Sequence, residues 1–293
     1  KKKKTKVAQD EELPDGQLAK QAIEKLREYK EGDKPFFLGL GFFKPHLPFV
    51  APKQDWDAFA NVEIPPAPHP EKPESAYWHK SGEFYNYDME FEKTRPLSRE
   101  ARENVRRGYL ACVRYTDRQV GKVLTALDEL GMRENTIVIV WGDHGWFLGD
   151  SALWAKHAPL ERALKSTLMI RAPGVAEAGL KSAALVETVD IYPTLIDLCQ
   201  PAFRKTEYPL DGKSLKPILT GEETEIREAA LSYWNNAVSV RTQQYRMTAS
   251  MKRGKPTKIE LYDITENPDP VENLAKSEPK VVEKLSKFLP GEK

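Results

Sequence analysis

Residues 135–150 read NTIVIVWGDHGWFLGD, and the order of chemistry along them decides the fold class. The β-branched run at 136–141 is too short for a good helix and predicts a buried central strand. Gly142 and Gly145 bracket Asp143 and His144 directly after it. In open α/β sheets ligands bind outside the carboxyl ends of strands, and glycine lets a backbone turn sharply there. An acid and an imidazole at such a place offer a carboxylate oxygen and an imidazole nitrogen to a divalent cation. The same dipeptide also reads as a turn with a helix-capping aspartate.

Upstream, Ser98 is expected to cap a long helix that runs to about Leu130 and is stopped by Gly131. Val105, Tyr109, Val113, Val120, Leu124 and Leu127 would form its apolar face. A helix followed by a buried strand is the α/β pattern. Earlier still, residues 36–43 predict a second strand buried on both faces, ended by Lys44-Pro45-His46-Leu47-Pro48. Asp15-Gly16 reads as a turn before a short helix over 17–29, with Leu18, Ala22, Ile23 and Leu26 as its stripe. Residues 60–97, rich in proline, aromatic and charged residues, read as a long surface insertion.

Downstream, strand-like pieces at 230–233, 237–241, 245–249 and 259–262 precede a helix near 279–288. The expected organisation is an α/β core over 1–212 and a small antiparallel α+β subdomain over 213–293.

The chain has 293 residues, 40% hydrophobic and 30% charged, with a formal net charge of +1. That composition excludes a disordered chain and gives no electrostatic reason for a nucleic-acid or anionic-membrane partner. The basic run at residues 1–4 reads as a solvated tail. No apolar stretch approaches the roughly 20 residues of a membrane span. Cys112 and Cys199 lack metal-type spacing and read as small core hydrophobes.

Two further basic groups stand near the strand ends. Lys156, in Trp154-Ala155-Lys156-His157, offers a point charge for an oxyanion or is a solvated lysine. His46, held between prolines, is placed for general-acid work or is a hydrogen-bonded loop histidine. Trp146, Trp154, Tyr77 and Trp78 read either as the mouth of a sugar site or as packing.

KPFFLGLGFFKPHLPFVAPK at 34–53, Tyr115-Thr116-Asp117, NTIVIVWGDHGWFLGD and WAKH closely resemble the type I sulfatases, nearest to the iduronate-2-sulfatase-like branch. The resemblance continues in order through Arg171-Ala172-Pro173-Gly174, Val189-Asp190-Ile191-Tyr192-Pro193, Leu210-Asp211-Gly212-Lys213-Ser214-Leu215 and Glu260-Leu261-Tyr262-Asp263. It implies an alkaline phosphatase/sulfatase-like α/β sandwich, incomplete at the N-terminus, with a small C-terminal subdomain. It implies a Ca2+ site, with zinc or another divalent ion still open, and a formylglycine nucleophile. Asp143 and His144 then look like two metal ligands, Lys156 like the sulfate-contacting lysine and His46 like the histidine beside the scissile ester oxygen. Lys44, Lys156, His157 and Trp154 are the expected substrate contacts.

The family's nucleophile motif, C/S-x-P/A-x-R, is absent from these 293 residues: Cys112 precedes Val113-Arg114, and Cys199-Gln200-Pro201 is followed by Ala202-Phe203, with no arginine at the fifth position. Asp150-Ser151-Ala152-Leu153 also replaces the acidic, glycine-rich stretch usual before the Trp-x-Lys. The chain is therefore expected to be the C-terminal portion of a sulfatase acting on sulfated saccharides, inactive alone and completed by an upstream segment or chain. The alternatives are a degenerate binder of sulfated ligands and a phosphate-ester hydrolase on the same fold.

Overall fold

Helix α1 (Pro14–Glu31) begins earlier than its apolar stripe predicts. Pro14 opens it with its fixed φ, and Asp15 and Gly16 lie inside the first turn, not in a turn before the helix. Gly16 is required by closeness: a Cβ there would stand 2.3 Å from the carbonyl oxygen of Asp10. Ala19, Ala22 and Leu26 are buried along the expected face.

The computed structural model describes residues 6–7, 9–88, 93–176, 178–202 and 209–291; the basic run at 1–4 lies outside them. The chain divides into two compact units, residues 1–68 with 81–136, and residues 69–80 with 137–293. The boundary expected at 212/213 falls inside the second unit.

In the first unit, β1 (Lys6–Val7) pairs in parallel with β2 (Ala51–Pro52), which leads into the short α2 (Lys53–Asp57). The long helix α3 (Arg99–Glu129) starts as expected, with the Ser98 hydroxyl accepting from Ala101 N–H at 3.1 Å. Gly131, at φ 66°, follows its end. Its buried stripe runs through Ala101, Val105, Gly108, Cys112, Tyr115 and Gln119. Val113 belongs to the opposite side and is exposed. Small residues allow the close packing here: a Cβ on Gly108 would lie 2.9 Å from the Trp56 ring. Charge ties the same elements together. Arg118 donates to both Asp10 and Asp55, Lys122 to Asp10 and Arg114 to Asp55.

Residues 36–43 are not a buried strand. They run extended without a strand partner among the described residues, and Phe37 is 81% exposed. An apolar, β-prone run becomes a strand only when a neighbour takes its backbone hydrogen bonds. The insertion at 60–97 is irregular as expected, apart from a 3-10 turn at Glu83–Asn86.

In the second unit β3 (Val138–Trp141) is not central. Its one described partner is the antiparallel β4 (Leu168–Arg171), and both are half-exposed. Helix α4 (Glu161–Leu164) lies between them in sequence, and α5 (Ile191–Cys199) and α6 (Lys216–Leu219) follow. Cys199 ends α5 and is exposed, not a core residue. The Val189–Pro193 and Leu210–Leu215 stretches meet through hydrogen bonds. The buried Asp190 accepts from Lys213 N–H at 2.8 Å, and Thr194 Oγ1 accepts from Leu215 N–H at 2.8 Å.

The expected C-terminal sheet is present as an antiparallel meander of β5 (Ala230–Trp234), β6 (Ala237–Arg241), β7 (Tyr245–Lys252) and β8 (Lys255–Asp263). Val240, Met247 and Leu261 are cross-strand neighbours on one face and pack with Leu285 of α7 (Pro279–Ser286). Ser239, Thr248 and Glu260 line up on the other face. That face is polar yet buried, because Arg246 on it pairs with Glu161 of α4. No helix among the described residues is long and apolar enough to cross a membrane.

Candidate active site

The loop after β3 is held by three backbone hydrogen bonds. Gly142 N–H donates to Thr167 O (2.9 Å), Gly145 N–H to Ala163 O (2.8 Å) and Phe147 N–H to Ala155 O (2.8 Å). Gly145 admits no side chain, because a Cβ would lie 1.9 Å from the carbonyl oxygen of Arg162. The C-terminal sheet braces this arrangement from behind. Arg241 and Arg246 clasp Glu161, and α4, which Glu161 begins, carries Ala163.

Asp143 and His144 therefore project from a fixed loop. The Asp143 side chain is 75% exposed, and its Oδ1 accepts from His144 N–H at 3.0 Å. His144 Nδ1 lies 2.8 Å from the carbonyl oxygen of Gly145. A carbonyl only accepts, so Nδ1 donates to it and Nε2 is the ring atom left to face a metal ion. That Nε2 stands 3.6 Å from Asp143 Oδ2. The pair fits two ligands of a divalent ion, with the backbone carbonyl setting the tautomer as metal-binding histidines require. It does not make a complete site: among the described residues no group of three or more His, Cys, Asp or Glu is placed to hold a metal.

The Phe147–Ala155 bond brings Lys156 alongside this loop, with its ammonium 5.6 Å from the centre of the Trp146 ring. Trp154, Lys156 and His157 are half-buried, and the same stretch contributes Leu153 and Ala158 to a small core with Phe147 and Ala163. The His157 ring lies 5.8 Å from that of Trp234, at the end of β5. Trp234 was not singled out in the sequence. Only its position before the Asn235-Asn236 hairpin turn could have pointed to it. Tyr77 and Trp78 serve packing: the Tyr77 hydroxyl donates to Lys258 O at 2.5 Å, and Trp78 Nε1 donates to Ser151 O at 2.8 Å.

Lys44 and His46 belong to the first unit. The Lys44 ammonium donates to the carbonyls of His46 (3.0 Å) and Pro48 (2.7 Å), which braces the loop. His46 Nδ1 lies 2.8 Å from Leu47 O, and its Nε2 lies 3.4 Å from Glu83 Oε1. The Tyr87 ring stands edge-on to the imidazole at 6.4 Å. Cys112 is fully buried in α3, and burial pushes its thiol up to about 12, so it carries no nucleophilic thiolate near neutrality.

Residues 2–201 match the family model described as Sulfatase, and residues 142–291 match that described as N-sulphoglucosamine sulphohydrolase, C-terminal. The chain is 30% identical over 296 residues to iduronate 2-sulfatase of Mus musculus, covering 86% of this chain and 52% of that protein. A phosphonate monoester hydrolase from Silicibacter pomeroyi superposes with a TM-score of 0.80 at 22% identity, over 96% of this chain and 59% of that one. A protein solved in complex with its substrate D-glucosamine-2-N,6-O-disulfate superposes with a TM-score of 0.73 at 19% identity, over 93% and 68%. The fold is thus that of the alkaline phosphatase-like sulfatases, and the chain spans about half the length of the curated relatives it matches. The chain belongs to the sulfatase family.

Proposed function

We propose that this chain is part of a sulfuric ester hydrolase acting on sulfated saccharides. The observation that supports the reading is the hydrogen bond from Phe147 N–H to Ala155 O, which brings Lys156 to the loop that carries Asp143 and His144, its ammonium 5.6 Å from the centre of the Trp146 ring. A lysine ammonium next to a metal-donor pair suits a sulfate group, whose charge is spread over its oxygens. The saccharide class follows from the relative named iduronate 2-sulfatase and from the related structure holding a disulfated glucosamine.

In this reading Lys156 binds a sulfate oxygen and steadies charge as the sulfur–oxygen bond breaks. His46 gives a proton to the departing alcohol oxygen, which a poor leaving group needs. Trp154 and His157 border the sulfate site, and Lys44 acts by bracing the histidine loop. Asp143 and His144 contribute two donors to a divalent cation of the Ca2+ type, which supplies positive charge for the sulfate oxygens. The remaining ligands and the formylglycine nucleophile come from outside these residues, so the 293-residue chain alone is inactive.

The test uses the complete polypeptide and this chain alone, each given a 6-sulfated glucosamine, an aryl sulfate and an aryl phosphate, with and without chelator. Chelator-sensitive sulfate release by the complete protein only is expected. Turnover by the chain alone would refute the division of labour. Preference for the phosphate would favour phosphoester hydrolysis, and binding without turnover by the complete protein would favour a degenerate binder.

A further inference from the structure

We propose that Glu83 is a positioning residue that keeps a transferable proton on Nε2 of His46. The inference rests on the reading of His46 as the general acid. His46 Nδ1 faces the carbonyl oxygen of Leu47 at 2.8 Å and must donate to it. A neutral imidazole has one N–H, so its Nε2 would then present a lone pair to the Glu83 carboxylate 3.4 Å away. Two acceptors facing each other repel. The contact is attractive when Nε2 also carries a hydrogen, and the carboxylate then aims that N–H. The doubly protonated ring has a proton to give.

Glu83 is held for this task. It opens the 3-10 turn Glu83–Asn86, and its N–H donates to Ser81 Oγ at 3.2 Å. The next residue, Phe84, is fully buried and anchors the turn. Lys93 donates to the carbonyls of Tyr85 and Tyr87, and the Arg95 guanidinium lies 3.9 Å from the centre of the Tyr85 ring. Tyr87, just after the turn, closes over the imidazole edge-on. A stretch of the irregular insertion thus ends as an ordered wall around one histidine, with its carboxylate on the nitrogen that the chemistry requires.

The step balances as follows. An oxygen nucleophile of the complete enzyme, of the hydrated-aldehyde class, forms a bond to sulfur, and the sulfur–ester oxygen bond breaks. Its electron pair stays on the ester oxygen, which takes the Nε2 proton and leaves as an alcohol. His46 is left neutral, with Nδ1–H still on Leu47, and regains its proton from solvent beside Glu83.

The experiment compares wild type, E83Q, E83D, H46A and the E83Q/H46A double variant of the complete enzyme on an alkyl sulfate and a nitrophenyl sulfate. E83Q is expected to lower kcat on the alkyl ester about tenfold more than on the aryl ester, with KM little changed. E83D should recover most of that loss, and E83Q should cost nothing further in the H46A background. Equal losses on both esters, or an undiminished loss without the histidine, would overturn the proposal and leave Glu83 a purely structural anchor. A wild type inactive on both esters would overturn the assignment of His46 itself. That outcome is separate from an active enzyme in which Glu83 does not act through His46.

Discussion

The buried carboxylate of Asp15 accepts hydrogen bonds from the backbone N–H groups of Phe43 and Lys44, both at 2.8 Å, and so ties the first turn of α1 to the start of the His46 loop. Asp15→Ala would remove the acceptor of both N–H groups, one on the exposed Phe43 and one on the half-buried Lys44. The expected cost is about 1–3 kcal/mol, the net loss of two part-buried hydrogen bonds to a charged acceptor. Asp15→Asn can accept only through its amide oxygen and should fall between wild type and alanine. Urea midpoints of the three proteins check the order, and equal stabilities would show that the two bonds are replaceable by solvent.

Arg118 supports the second prediction. Its guanidinium meets Asp55 at 2.7 and 2.9 Å and Asp10 at 2.6 and 2.8 Å, two buried carboxylates that would otherwise keep only Arg114 and Lys122 respectively as cationic partners on α3. Arg118→Ala should destabilise the protein by about 3 kcal/mol or more, as removal of one member of a buried ion network does. The pH dependence has a definite sign. Burial pushes the Asp10 carboxyl up, but hydrogen bonds from Arg118, Lys122 and Gln119 outweigh it and hold the group well below the usual range. A depressed folded value stabilises above the unfolded pKa of about 4 and is lost as pH falls below it. The gap between wild type and R118A should therefore narrow from neutrality toward pH ~2. A gap that widens in acid would contradict this account.

How far the sequence carried depends on where each residue finds its partners. The C-terminal meander and α7 were legible because Val240, Met247, Leu261 and Leu285 are neighbours within one local unit. The cap and end of α3 were legible because Ser98 and Gly131 act on adjacent backbone. Residues 36–43 were misread because an apolar run records a capacity for pairing, and a ladder also needs a partner strand; β3 is the expected strand, but its one described partner is β4 and it is half-exposed, not central. Val113 was misplaced because the buried face of α3 is set by Gly108, Ala111 and Cys112, which carry little hydrophobic signal. Asp143, His144 and Lys156 stood out through short motifs. Glu83 and Trp234 did not, because their contacts, with His46 and His157, are distant in sequence.

The third prediction sets two glycines against each other. Gly145→Ala would drive a methyl group to 1.9 Å from the carbonyl oxygen of Arg162, so α4 and the Asp143–His144 loop must part. A loss of about 1–3 kcal/mol is expected, with reduced activity in the complete enzyme because the loop moves. Gly121, within α3, has no atom within 4 Å of a Cβ. Gly121→Ala should instead stabilise by up to about 1 kcal/mol through helix propensity. Thermal melting of both variants checks the contrast, and a neutral Gly145→Ala would mean that α4 gives way without strain.

Lys156 tests the sulfate site. Its ammonium stands beside Trp146, on the strand-end loop that also bears Asp143 and His144. If it steadies charge that grows on the sulfate oxygens as the ester breaks, Lys156→Ala in the complete enzyme should lower kcat about 100-fold. The loss should be similar for alkyl and aryl sulfates, because the lysine acts on the transferred group and not on the leaving alcohol. That pattern differs from the one expected of His46, whose removal should matter more for the alkyl ester. Lys156→Arg keeps the charge, but its planar fork cannot occupy the same point, so partial recovery at best is expected. Steady-state kinetics on the two ester classes separate the roles. A Lys156→Ala enzyme whose loss tracks the leaving group would move the lysine from the sulfate to the departing oxygen.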